Sequence, residues 1–112
     1  VNVSVLYAPD ELQYVLNKAD VQALIYEDLF AEKIDAVRAR CPKIETYIQI
    51  GAAFDDFIAG HSAAEPDVEI DERDPFSMTY TGGTTGLPKG VLASHRARAV
   101  SAHTFMVEED ID

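Results

Sequence analysis

One short segment of the chain combines the residue types of an anion-binding site. From Tyr80 to Val91 the sequence reads Y-T-G-G-T-T-G-L-P-K-G-V. Glycines let a backbone approach a ligand closely and turn several N–H groups toward one anion, because no Cβ stands in the way. Threonine hydroxyls and a lysine ammonium can donate further hydrogen bonds to phosphate oxygens. The segment therefore predicts a cradle for a polyphosphate.

The candidate ligand-binding residues all lie within this segment. They are Thr81, Gly82, Gly83, Thr84, Thr85, Gly86 and Lys89. The glycines allow the backbone to take positive φ angles, and we expect Lys89 to supply the positive charge. One threonine hydroxyl is expected to face Mg²⁺, directly or through water, and Thr81 is the candidate. The alternatives are a glycine-rich hairpin turn without a ligand, threonines that only satisfy a turn, and a hydrated lysine.

Two common phosphate-binding motifs do not fit. The P-loop of nucleoside triphosphatases requires Gly-Lys-Ser/Thr, whereas Lys89 stands between Pro88 and Gly90. The dinucleotide fingerprint requires G-x-G-x-x-G, and residues 82–86 do not have this spacing.

The segment instead resembles the phosphate-binding loop of the acyl-adenylate-forming, or AMP-binding, superfamily. That superfamily includes acyl-CoA synthetases, luciferases and peptide-synthetase adenylation domains, and its motif reads roughly Tyr-Thr-Ser-Gly-Thr-Thr-Gly-x-Pro-Lys-Gly-Val. The matching residues are Tyr80, Thr81, Gly83, Thr84, Thr85, Gly86, Pro88, Lys89, Gly90 and Val91. Gly82 departs from the motif, because the family usually has a hydroxyl residue there. A looser resemblance covers most of the chain, starting at the Pro9–Leu12 segment.

The resemblance implies a function. It is most simply that of an acyl-CoA synthetase, which converts a carboxylic acid, a fatty acid for example, and ATP into acyl-AMP and then transfers the acyl group to CoA. Lys89 would hold the β- and γ-phosphates and stabilise the transition state. ATP, Mg²⁺ and CoA are the implied cofactor and co-substrates. Luciferase-like oxidation, amino-acid adenylation for a peptide synthetase, and a non-catalytic nucleotide- or anion-binding fragment remain open.

Length and charge restrict the other possibilities. The 112 residues suffice for one modest core, and we expect an internal piece of a longer enzyme whose remainder is its partner, with a homodimer of that enzyme left open. The net charge of −11 argues against nucleic acid. Pro75 to Val107 nevertheless contains three bases and no Asp or Glu, which suits an anion and equally a solvated basic helix face. No apolar run is long enough to span a membrane.

The remaining reactive side chains are expected to be structural. Cys41 is the only cysteine, and it indicates a reducing, cytoplasmic location and a packing role. His61, His95 and His103 do not have the spacing of a shared metal site.

The pattern of apolar residues predicts an α/β fold with parallel strands and crossover helices. The resemblance implies that this fold is a partial subdomain of the family's N-terminal domain. We expect a βαβαβ scaffold over residues 1–60, a linker over 61–74, and a strand, phosphate-binding loop, strand and helix over 75–112. The first strand is predicted over Val1–Leu6, where valines alternate with polar residues. Pro9 is predicted to open the first helix, and Ser94 to cap the last one.

Overall fold

The computed structural model describes residues 1–83 and 86–108. Its helices and strands are α1 Pro9–Lys18, β1 Ala23–Tyr26, α2 Ala31–Arg38, β2 Thr46–Gln49, α3 Ala52–Ala59, β3 Pro75–Gly83, β4 Gly86–Ser94 and α4 His95–Glu108. A single 3₁₀ turn, Asp28–Phe30, leads into α2. The chain divides into two compact units. The first comprises residues 3–65, and the second comprises residues 1–2 together with 66–112.

The unit of residues 3–65 contains a parallel strand pair. β1 pairs with β2 in the register Leu24–Tyr47 and Ile25–Ile48, and α2 lies in the crossover between them. This confirms the expected parallel arrangement for these two strands, because parallel neighbours need a long connection. The apolar core of this unit consists of Tyr7, Leu12, Val15, Leu16, Leu24, Ile34, Val37, Cys41, Ile44 and Ile48.

Helix α1 begins at the residue that its sequence predicts. Pro9 is its first residue, and the Glu11 carboxylate accepts a hydrogen bond of 2.9 Å from the backbone N–H of Ala8. Pro fits the first turn because its missing N–H would have no partner there. Three residues of the helix, Leu12, Val15 and Leu16, are buried on one face. The helix ends before Asp20, which has a φ of 52° and forms an ion pair with Lys43.

The strand predicted over Val1–Leu6 is wrong. Within this segment the structure describes only an isolated parallel bridge from Asn2 to Thr79. The carbonyls of Val5 and Tyr7 instead accept hydrogen bonds of 3.0 and 2.9 Å from the Lys33 ammonium. Val5 is exposed. The alternating pattern therefore gains no buried face, which is what would have stabilised a strand.

The unit that holds residues 66–112 consists of an antiparallel hairpin and a helix. β3 pairs with β4, and α4 follows β4 directly. The fold is therefore mixed α/β with one parallel and one antiparallel strand pair, rather than a layer of parallel strands alone. No helix in the described part of the chain is both long and apolar enough to cross a lipid bilayer.

Candidate phosphate-binding site

The predicted phosphate-binding segment forms the end of the β3–β4 hairpin. Tyr80 pairs with Gly90, Thr81 pairs with Lys89, and Gly83 pairs with Gly86. The sequence predicts a strand, a phosphate-binding loop and a second strand here. The pairing instead continues nearly to the tip, so that only residues 84 and 85 separate the two strands in sequence.

A bulge interrupts β4 next to the lysine. Between the Thr81–Lys89 and Gly83–Gly86 pairs the register shifts, and the additional residue lies on β4. Pro88 stands in this interval and is buried. Proline has no N–H for the ladder and is therefore found at bulges and edges of sheets. The bulge thus explains how a Pro-Lys-Gly sequence is accommodated inside a strand.

Thr81 and Lys89 are brought together by this register. They are direct cross-strand partners, and the Thr81 hydroxyl donates a long hydrogen bond of 3.4 Å to the Lys89 carbonyl oxygen. Side chains of directly opposed residues project from the same face of a sheet. A hydroxyl and an ammonium therefore share one exposed face of the hairpin.

Lys89 is available for an anionic ligand. Its side chain is exposed, and among the described residues it forms no ion pair. The other two bases of the acid-free stretch are already engaged. Arg96 forms an ion pair of 2.8 Å with Glu72, and the Arg98 guanidinium lies 5.9 Å from the centre of the Phe76 ring. Lys89 is thus the cation of this stretch that a phosphate could neutralise.

The glycines contribute open space rather than unusual backbone angles. Gly82 and Gly86 have no φ in the positive region, so neither uses this freedom of glycine. A Cβ added at either would have no heavy atom within 4 Å among the described residues. An extended backbone in open surroundings still allows a ligand to approach its N–H groups closely.

Thr84 and Thr85, predicted as further phosphate ligands, lie outside the described residues. Gly83 contributes its backbone pairing with Gly86. The described candidates that the hairpin places close together are therefore Thr81, Gly82, Gly86 and Lys89, with Gly83 between them in the chain.

The N-terminus of α4 is stabilised by protein groups. The Ser94 hydroxyl accepts a hydrogen bond of 3.2 Å from the N–H of Ala97, which confirms Ser94 as the helix cap. The N–H groups of His95 and Arg96 donate to backbone carbonyls of the preceding acidic segment, at 3.1 and 2.8 Å. The His95 ring packs edge-on against Phe76, with centroids 5.0 Å apart. This supports a structural role for His95.

In the part of the chain that the structure describes, no preformed metal site accompanies the hairpin. Within residues 1–83 and 86–108 no cluster of three His, Cys, Asp or Glu side chains could hold a metal ion. Thr81 is the predicted metal ligand, and its hydroxyl donates a hydrogen bond to the Lys89 carbonyl. Magnesium takes few protein ligands when phosphates supply the others, so the residues fit an ion that arrives with its nucleotide.

Sequence reasoning missed the contact on the opposite face of the hairpin. Tyr80 lies against Gly90, so closely that a Cβ on Gly90 would be 3.0 Å from the Tyr80 Cζ. The sequence did not show this contact. Regular pairing of the residues on either side of positions 84 and 85 would place Tyr80 opposite Lys89, and the additional residue of the β4 bulge places it opposite Gly90 instead. The ring there covers the bare backbone of the glycine.

Shifted pKa values are found in the other unit, at Cys41 and Tyr47. Burial raises the pKa of the Cys41 thiol, and the nearby Arg40 lowers it by a smaller amount. Burial also raises the pKa of Tyr47, whose hydroxyl is buried without a hydrogen-bond partner within the described structure. Both shifts favour neutral groups, which fits packing roles and not nucleophilic ones.

The sequence of this chain is similar to those of known CoA ligases. The 3-methylmercaptopropionyl-CoA ligase of Ruegeria pomeroyi is 32% identical over 110 residues, which cover 87% of this chain and 20% of that enzyme. The 3-oxocholest-4-en-26-oate–CoA ligase of Rhodococcus rhodochrous is 35% identical over 106 residues, covering 85% of this chain and 19% of that enzyme. The chain thus spans about a fifth of the length of these curated relatives.

Solved structures show the same fold. The anthranilate CoA ligase AuaEII, in complex with anthranoyl-AMP, matches with a TM-score of 0.85 at 27% identity, over 90% of this chain and 21% of that one. The long-chain-fatty-acid-CoA ligase FadD1 from Archaeoglobus fulgidus matches with a TM-score of 0.87 at 24% identity, over 98% of this chain and 22% of that one.

The family model described as AMP-binding enzyme matches residues 1–111. This match covers both compact units, and the hairpin with its exposed lysine lies within it. The chain therefore belongs to the AMP-binding enzyme family.

Proposed function

We propose that this chain is part of an ATP-dependent acid–CoA ligase and that the tip of the β3–β4 hairpin binds the phosphates of ATP. The observation that carries the proposal is the exposed Lys89 ammonium, which has no ion-pair partner among the described residues and stands opposite Thr81 in an acid-free stretch. A phosphate there would gain a charged donor without competing with a carboxylate.

The hairpin's part in the reaction follows from where charge develops. In the first half-reaction a substrate carboxylate oxygen bonds to the α-phosphorus of ATP, and the bond to the bridging oxygen breaks, which releases pyrophosphate. In the second, the CoA sulfur loses its proton and bonds to the acyl carbon. The bond from this carbon to the AMP phosphate oxygen breaks, which releases AMP. Negative charge shifts onto the leaving pyrophosphate in the first step. Lys89 and the nearby N–H groups would stabilise that charge, while Mg²⁺ bound with ATP would neutralise the phosphates.

The substrate class is proposed from the named relatives. These are CoA ligases for a methylmercapto acid, a steroid acid and fatty acids. Their common chemistry is a carboxylic acid activated for transfer to a thiol, so we propose a carboxylic acid and CoA as substrates. The cytoplasm is proposed as the location because of the free Cys41. A fatty acid is the simplest choice of acid. The proposed assembly of the longer enzyme is a homodimer, which its mass in solution would test.

A binding role without catalysis is the second candidate. It is favoured by the hairpin itself, because the exposed Lys89 opposite Thr81 supplies donors for an anion and does not identify an acid substrate. A peptide-synthetase adenylation domain would share this hairpin and would differ in the acid that it accepts.

The proposal is tested by titrating the chain with tripolyphosphate, Mg·ATP and AMP, followed by calorimetry and by amide chemical shifts. A phosphate cradle should bind tripolyphosphate nearly as well as Mg·ATP, and AMP much more weakly. The largest shifts should fall on Thr81, Gly82 and Lys89. Equal binding of AMP and Mg·ATP, or shifts confined to residues 3–65, would contradict the assignment of the hairpin. A carboxylate-dependent exchange of pyrophosphate into ATP by the longer enzyme would separate a ligase from a binding module.

A further inference from the structure

The hairpin carries a contact on the face opposite to Lys89. Tyr80 and Gly90 are direct cross-strand partners. A Cβ built on Gly90 would lie 3.0 Å from the Tyr80 Cζ, 3.3 Å from the Tyr80 Cε2 and 3.2 Å from the Met78 Sδ. Contacts between carbon atoms are normally about 3.5–4.0 Å. The two β3 side chains therefore lie directly on the bare backbone of Gly90, and no larger residue fits there without displacing them.

The two faces of β3 differ in their exposure. Side chains alternate along a strand, so Met78 and Tyr80 project from one face and Thr81 from the other. Met78 and Tyr80 are partly buried, whereas Thr81 and its partner Lys89 are exposed. One face is thus packed, and the other is free to meet a ligand.

The sequence of this hairpin specifies the pairing register of its two strands only weakly. Four of the nine residues at positions 82–90 are glycine, and strands rich in glycine specify their register weakly because few side chains meet across the pair. A slip of one residue would move every side chain of β4 to the other face. Lys89 would then project from the face of Tyr80, away from Thr81.

We propose that the packing of the Tyr80 ring on Gly90 locks the register of the hairpin and thereby positions Lys89 opposite Thr81 for phosphate. The inference rests on the proposed phosphate site. Tyr80 and Gly90 are positioning residues, because they act on the ligand through Lys89. An aromatic ring over a cross-strand glycine covers backbone that would otherwise be solvated, and it fits only one pairing of the two strands.

A double-mutant cycle tests the proposal. The variants are Gly90→Ala, Tyr80→Ala and the combination, with Tyr80→Phe as the control that keeps the ring. Tripolyphosphate affinity is measured by calorimetry. The register is read by NMR from backbone proton contacts between Thr79 and Val91 and between Thr81 and Lys89. Contacts between Ile25 and Ile48 in the other unit report that the variant is folded.

The expected pattern is a loss of affinity from Gly90→Ala that disappears once the Tyr80 ring is removed. Cross-strand pairs contribute about 0.2–1 kcal/mol, so Gly90→Ala should weaken tripolyphosphate binding up to about fivefold, because its Cβ displaces the ring. Tyr80→Ala should produce a similar loss and weaken the cross-strand contacts. In the Tyr80→Ala background, Gly90→Ala should cost nothing further. Tyr80→Phe should bind within about twofold of the unmodified chain.

Three results would overturn the inference. One is an equal loss from Gly90→Ala in both backgrounds, since the alanine would then act without the ring. Another is a Tyr80→Phe variant as weak as Tyr80→Ala, because the hydroxyl and not the packing would matter. The third is unchanged cross-strand contacts in all variants. If the unmodified chain bound no tripolyphosphate, the proposed function would fail, while the same NMR contacts would still decide whether Tyr80 sets the register.

Discussion

Replacing Lys89 by alanine should weaken phosphate binding by an amount that follows from its position. Two unit charges 4 Å apart attract each other by about 1 kcal/mol in water and about 4 kcal/mol at an effective dielectric constant of 20. Lys89 is exposed, so the lower end of this range applies. A loss of about 1–2 kcal/mol corresponds to a roughly 5- to 30-fold weaker affinity for tripolyphosphate.

The assay is calorimetric titration with tripolyphosphate at about 20 mM and about 1 M salt. The Debye length falls to about 3 Å at 1 M, so the difference between the unmodified chain and Lys89→Ala should shrink there. Lys89→Arg keeps the charge and should retain most of the affinity. Arg98→Ala is the matched control, because it removes the same charge from the same acid-free stretch at a side chain that lies over Phe76.

Two outcomes would refute this reasoning. If Lys89→Ala bound tripolyphosphate as tightly as the unmodified chain at low salt, Lys89 would not contact the ligand. If Arg98→Ala lost as much affinity as Lys89→Ala, the effect would come from the overall charge and not from the geometry of the hairpin.

Three further predictions concern stability and activity. Ser94→Ala should lower the stability of α4 by about 1 kcal/mol because the N–H of Ala97 loses its acceptor. Amide exchange in the first turn of α4 should become faster, and Ser94→Asp should return it to the original rate. Unchanged exchange in Ser94→Ala would contradict the prediction. Burial raises the pKa of Cys41 in the folded chain, so the unfolded state releases its thiol proton first. The free energy of unfolding should therefore be unaffected by this group below the unfolded pKa of about 8.5 and should fall as the pH rises above it. Urea titrations at pH 7.5 and 9.5 measure this slope, and Cys41→Ala should flatten it; an equal slope in both proteins would exclude Cys41 as its source. Finally, the 112-residue chain alone should not release pyrophosphate from ATP with a carboxylate, and release at enzymatic rates would show that the site is more complete than we propose.

The helices of the first unit could be predicted because their signals are local. Pro9 and Glu11 mark the start of α1, and Leu12, Val15 and Leu16 form one apolar stripe. A helix closes its hydrogen bonds within a few residues, so its sequence contains most of the information about its limits. The cap at Ser94 was predicted for the same reason.

The strands show where local reasoning fails. Val1–Leu6 has the alternation of a strand but no strand partner beyond the single bridge at Asn2 within the described residues. Residues 86–90 contain Gly, Pro and Lys, which argue against a strand, yet they lie in β4 because β3 pairs with them. Pairing decides strand identity, and partners distant in sequence are not visible in a local pattern.

The sequence alone indicated the family of this protein and predicted a phosphate ligand. Glycines, threonines and one lysine in a fixed order are sufficient to indicate a phosphate ligand and the family, because donor types and their spacing are properties of the chain itself. The tertiary structure alone decided which donors meet. The β3–β4 register places Lys89 opposite Thr81 and sets the Tyr80 ring on Gly90. The start of α4 brings Arg96 to Glu72. These arrangements depend on cross-strand and helix contacts, which form only when the chain folds back on itself.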